Sequence, residues 1–320
     1  MCHLRSLRGQ LRIRTRWRSD LLGALLGRHS SAGFPSLDMN MNILEQIDKG
    51  IEDAETPETG WRDHGGFSSL GTACLRQLWY EWHWASNKKH KAKILRKFGR
   101  GHMDEKRFKK LMRKAGIYVS DVDPATGKQF SFHAKDCGFL AGSIDGVVSN
   151  VHELEEGEWA LWEFKSMGNS TFGTLTKQGL EKANLTYWVQ CHLYMHHAGL
   201  AKCIFMAVNC DSQEMCREII ELDSDLVKLE LDKGKRILEL WHEPVPRIAE
   251  NEAYFVCRNL CDHRDVCHRG EPLAKNCRTC RHLTPDFKGE PTWLCSKHNV
   301  ELNREGLIAA CEDYQPLEIP

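Results

Sequence analysis

Asp145, Glu163 and Lys165 are the residues whose types and spacing suit joint chemistry; they lie in the runs GFLAGSIDGVVSN and EWALWEFKSM between Gly138 and Met167. Successive side chains of a strand point to opposite faces, so Glu163 and Lys165 must emerge side by side while Trp162 and Phe164 face the other way. Asp145 ends the preceding apolar run, and two carboxylates and an ammonium then converge. Hard divalent ions take oxygen ligands, and a lysine beside such an ion can hold or deprotonate a water that attacks a phosphate. Taken alone, an E-x-K in a strand is more often a salt-bridged hairpin, so the surrounding chain decides.

Cysteines supply the second kind of chemistry. Eight of the fourteen fall into two spaced sets. Cys74 joins Cys257, Cys261 and Cys267, spaced C-x3-C-x5-C, and Cys277-x2-Cys280 is followed by Cys295 and Cys311. A secreted disulfide protein would be shorter and carry a signal peptide, and none is recognised, so metal-held thiolates in a reducing cytoplasm are expected. The second set has a zinc-ribbon-like spacing in a turn-rich segment too small to fold without a staple. Zinc is expected there, with His282 or His298 as substitute ligands and a thiol redox pair as the weaker alternative.

The rest of the composition narrows the class. At 320 residues the chain can bury a sizeable core, its formal charge is zero, and no apolar run reaches the length of a membrane span. Basic residues are concentrated from Lys88 to Arg100 and from Lys106 to Lys114; a solvated face and a DNA-facing surface are equally compatible with them. Residues 1–38 form an arginine-rich leader, expected to be disordered or a lone helix. It reads as translated upstream sequence, with Met39 or Met41 as the natural start, in preference to a mitochondrial presequence.

Around the candidate residues, periodicity places a short amphipathic helix over 41–58 and a helix capped by Ser68 or Ser69 and opened by Cys74. A long basic helix follows over 88–116. Alternation in IYVSDVDPATGKQFSFHA predicts a hairpin turning at Asp123 to Gly127. Residues 180–199 return to helical spacing and close on Gly199, with Gln190 and Tyr194 on one face. Residues 201–210 read as a strand, and the segment from Ser224 to Pro244 as a charged helix. The expected fold class is α/β, with a mixed sheet flanked by helices.

These motifs in this order resemble the PD-(D/E)xK nuclease superfamily, in its RecB-like and phage-type exonuclease branch. The resemblance covers residues 60–245 and rests on a G-x-x-x-H-like element ending at His102, Gly142-x-x-Asp145, Glu163-x-Lys165 and Gln190-x-x-x-Tyr194. The proline of the family's name is missing, since Ile144 precedes Asp145. The resemblance implies a restriction-endonuclease-like core. It also implies Mg2+ or Mn2+ on Asp145, Glu163, the Phe164 carbonyl and His102, with Glu105 as an alternative ligand. Lys165 would then serve the water, and Gln190 and Tyr194 would lie beside the site. Iron-sulfur exonucleases of this branch carry one cysteine before the core and three after it, which implies a [4Fe-4S] cluster on Cys74, Cys257, Cys261 and Cys267. The first gap here is three residues where theirs is two. Zinc on the same thiolates, with His263 as a substitute, would staple the domain equally.

The expected organisation is a leader at 1–38, a nuclease domain at 39–270 and a Cys-rich module at 271–320. The expected activity is metal-dependent DNA hydrolysis from DNA ends, in recombination, repair or phage replication, beside a single-strand annealing protein. Two alternatives remain: a CRISPR-adaptation exonuclease, and a non-catalytic nucleic-acid-binding iron-sulfur or zinc protein on a nuclease fold.

Overall fold

The structure, a computed structural model, describes residues 41–55, 60–87 and 89–319. The leader at 1–38 lies outside the described residues. The expected first helix is present as Ile43–Asp53. The chain divides into two units, Met1–Ile47 and Asp48–Pro320, and the candidate residues lie in the second.

Eight strands build its two main sheets: β1 (Gly65–Gly66), β2 (Tyr118–Ser120), β3 (Ser131–Ala134), β4 (Cys137–Ser143), β5 (Gly146–Ser149), β6 (Ala160–Met167), β7 (Lys202–Asn209) and β8 (Met215–Glu221). The larger sheet has the order β2-β5-β6-β7-β8, parallel between β6 and β7 and antiparallel elsewhere. The smaller has the order β1-β4-β3. The chain leaves the smaller sheet at Ser143 and enters the larger at Gly146, so Ile144 and Asp145 form the seam between them.

The expected hairpin over 117–134 is not formed. β2 pairs with β5 in one sheet, and β3 pairs with β4 in the other. The turn between them does form, with Asp123 Oδ1 accepting from the Ala125 amide at 2.8 Å and Gly127 at φ +68°. Alternation marks half-buried strands without naming their partners, which long-range burial selects.

The larger sheet is covered on both faces. Trp162 and Phe164 of β6 pack with Phe108 and Met112 of the helix Ala92–Lys114. On the opposite face, Leu161 and Phe205 join Val189 and Leu193 of the helix Leu185–Ala198 in the main core. Asn184 interrupts the helix expected over 180–199, its side chain accepting from the Tyr187 amide at 3.0 Å as an N-cap. Gly199 ends that helix in the left-handed conformation.

The C-terminal residues add a small antiparallel sheet, β9 (Leu283–Asp286), β10 (Thr292–Cys295) and β11 (Val300–Glu301), in the order β11-β10-β9. Leu283, Trp293, Leu307 and Leu317 share the main core with Phe139 and Trp241, so this segment is built onto the core. Among the described residues no helix is long and apolar enough to cross a membrane.

Candidate functional site

Glu163 is 0% exposed, and a buried carboxylate must be paired or neutralised. Its Oε1 accepts from Lys165 Nζ and, at 2.8 Å, from Gln190 Nε2. Its Oε2 is buried without any hydrogen-bond partner among the described residues. Asp145 Oδ2 accepts from the Phe164 amide at 3.0 Å, which ties the seam to the strand carrying Glu163. Lys165 Nζ also lies 4.9 Å from the centre of the Tyr187 ring. β6 thus puts Glu163 and Lys165 on one face, and the helix Leu185–Ala198 brings Gln190 down onto them.

Burial pushes the Glu163 carboxyl up to about 7, and the Asp145 charge adds to the rise while Lys165 opposes it. Asp145 is raised too, by burial above all, with Lys165 pulling it back. Burial alone would lower Lys165, but the charges of Glu163 and Asp145 outweigh it and hold the ammonium above the ordinary lysine range. Tyr194 is buried beside them, its phenol raised by desolvation and by the Glu163 charge.

From the helix Ala92–Lys114, the charges acting on Asp145 are those of Glu105 and Lys109, and Glu105 also acts on Glu163. Lys109 bridges Glu105 at 2.6 Å and Asp121 at 3.3 Å. His102 lies exposed on the same helix. The helix is fastened to β6 by Asp104, a buried carboxylate that accepts from Ser166 Oγ at 3.0 Å and from Arg100 Nε at 2.7 Å. Asp104 escaped the sequence analysis, because an acid inside a basic run looks like a surface charge.

The two cysteine sets are each gathered in space. Cys74, Cys257 and Cys267 are buried and Cys261 is half-buried. Burial pushes Cys261 up to about 11, and the other three thiols add to the rise. Cys277, Cys280, Cys295 and Cys311 line one small cavity with His282 and His298. Cys277 is likewise pushed up to about 11 by burial and its three neighbours. The Gln315 amide donates to Cys280 Sγ at 3.5 Å, and Cys311 Sγ lies 3.6 Å from His298 Nε2. Among the described residues no group of three or more His, Cys, Asp or Glu is arranged so that it could hold a metal ion. The chemistry of the thiols fits a thiophilic metal, and the unpartnered Glu163 oxygen fits a hard cation.

No family model and no curated protein matches the chain. Among solved structures, it is similar to an alkaline exonuclease, LHK-Exo, from Laribacter hongkongensis, with 16% identity and a TM-score of 0.41 over 60% of this chain and 91% of that chain. LHK-Exo in complex with dAMP gives 15% identity and a TM-score of 0.40 over 61% and 91%. A protein called SSO0001 gives 14% identity and a TM-score of 0.39 over 69% and 97%.

Proposed function

We propose that the chain is a Mg2+- or Mn2+-dependent deoxyribonuclease that degrades DNA from its ends. The observation that carries this is Glu163: a fully buried carboxylate with one oxygen held by Lys165 and Gln190 and the other without a partner, beside Asp145. A carboxylate kept in that state is costly unless a cation completes it. Asp145, Glu163 and the Phe164 carbonyl would hold the metal, which stabilises negative charge developing on the phosphoryl and leaving oxygens. Glu105 is the oxygen donor that the helix Ala92–Lys114 offers, with exposed His102 beyond it.

The side chains divide the remaining work. Lys165, which donates to Glu163 Oε1, would orient or activate the attacking water beside the phosphate. Gln190 fixes the Glu163 carboxylate, and Tyr194 stands buried behind the pair. Cys74, Cys257, Cys261 and Cys267 would carry a [4Fe-4S] cluster, and Cys277, Cys280, Cys295 and Cys311 a zinc ion, both structural. The partner is DNA, in recombination, repair or phage replication.

The test is incubation of purified protein with linear and circular DNA and Mg2+ or Mn2+, beside Asp145→Ala and Lys165→Ala. Linear DNA should be degraded and circular DNA spared, and both variants should lose activity. Variants that keep the wild-type rate would overturn the site, and cutting of circular DNA would overturn end-dependence.

A further inference from the structure

Arg278 stands inside the C-x2-C of the second cysteine set, yet its side chain belongs to the core. It is 1% exposed. Its guanidinium carbon lies 3.8 Å from the centre of the Trp84 ring and 4.3 Å from that of Trp293. Its two terminal nitrogens donate to three carbonyls: Nη1 to Arg62 at 3.0 Å and Trp82 at 3.2 Å, and Nη2 to Asp63 at 2.8 Å. The Trp84 indole donates to the same Arg62 carbonyl at 2.8 Å. Arg304 adds to the same anchorage, donating to the Trp61 carbonyl at 2.9 Å and pairing with Asp63.

The segment held in this way leads directly to the candidate site. Gly65 and Gly66 pair with Leu140 and Ala141 of β4, the strand that ends at the seam beside Asp145. Phe67 meets the Tyr194 ring edge-on, with centroids 6.3 Å apart, and the Arg62 charge acts on Tyr194.

A buried guanidinium is expensive to hold unless its donors are satisfied, and here its terminal nitrogens reach three carbonyls. Among the described residues the carboxylate acting on it is that of Asp63, which is well exposed and already paired with Arg304.

We infer that Arg278 is a positioning residue: it latches Trp61–Asp63 to the Cys-rich segment, fixing the approach to Tyr194 and the two carboxylates. The latch rests on the contacts of Arg278, and its effect on KM rests on the function proposed above.

The test compares wild type, Arg278→Met and Trp84→Phe by trypsin cleavage after Arg62 and by kcat and KM on linear DNA. Arg278→Met should keep a cooperative melt. Its cleavage after Arg62 should quicken about tenfold, because cleavage follows local opening. Its KM should rise several-fold while kcat stays within about twofold, as expected when positioning for binding is lost. Trp84→Phe keeps a ring over the guanidinium, loses one hydrogen bond, and should fall between; if Arg278→Met fails to fold, this variant decides. Wild-type protection at Arg62 and wild-type KM in both variants would overturn the latch. Absence of nuclease activity would remove the proposed function while the trypsin result still judges the latch.

Discussion

A carboxyl group at full burial keeps its proton unless its neighbours hold the charge, and for Glu163 the help of Lys165 is only partial. Its ordinary value is 4.5 and in the folded chain it is pushed up to about 7. Across that window the folded state binds more proton than the unfolded one, so this group's contribution to stability falls as pH rises, by up to about 1.4 kcal/mol per pH unit. Glu163→Gln should remove that slope. The difference between the metal-free wild-type and variant melting curves from pH 5 to 8 isolates it, and Mn2+ should restore wild-type stability at the alkaline end. A flat difference would place Glu163 in a wetter site. Gln190→Leu leaves the Oε1 end of the same carboxylate with Lys165 alone. Loss of such an orienting partner should weaken Mn2+ affinity about 10–100-fold, read from the Mn2+ dependence of DNA degradation.

At the scale of elements, two glycines separate what close packing demands from what it leaves free. A Cβ on Gly71 would lie 2.7 Å from Thr186 Cα and 3.0 Å from the Leu185 carbonyl, backbone that cannot step aside. Gly71→Ala should therefore destabilise the protein by about 2 kcal/mol or more, the cost of an overpacked contact. Gly99 sits in the interior of the helix Ala92–Lys114, and a Cβ there meets nothing within 4 Å. Gly99→Ala should stabilise by about 0.5–1 kcal/mol. Denaturant titration reads both, and equal effects would show that the helices cross differently. The same elements show what the sequence made legible. The long helix, β7 and the facing of Glu163 and Lys165 away from Trp162 and Phe164 follow from local periodicity, which sequence carries directly. The parting of β2 from β3, the break at Asn184 and the crossing at Gly71 depend on contacts between distant segments. β8 and the helix Asn169–Gln178 went unassigned because neither carries a strong apolar period. Exposed His102 and half-buried Glu105 lie on one helix three residues apart, and spacing alone could not rank them.

For the whole molecule, the cysteines divide by what surrounds them. Cys203 is fully buried against Cys191 in the main core, where desolvation raises its thiol well above the ordinary range. It is a packing residue of the kind that buried thiols usually are. Cys74 instead begins the helix Leu75–Trp82 and faces three cysteines that follow the last long helix, Ser224–Glu239. A cluster on those four would join segments nearly two hundred residues apart, roughly Cys74 to residues 257–267, and remove the entropy of a very long loop from the unfolded chain. Anaerobically purified wild type should then be brown and hold about four irons per cluster. Cys261→Ala should lose the iron and melt several degrees lower, while Cys203→Ala should keep full iron and pay only a cavity cost of about 1 kcal/mol. The contrast is diagnostic because both changes delete one sulfur from the same unit. Equal melting losses with no iron in any of the three proteins would make Cys261 another packing thiol. A colourless wild type holding two zinc ions would keep the staple and change its metal.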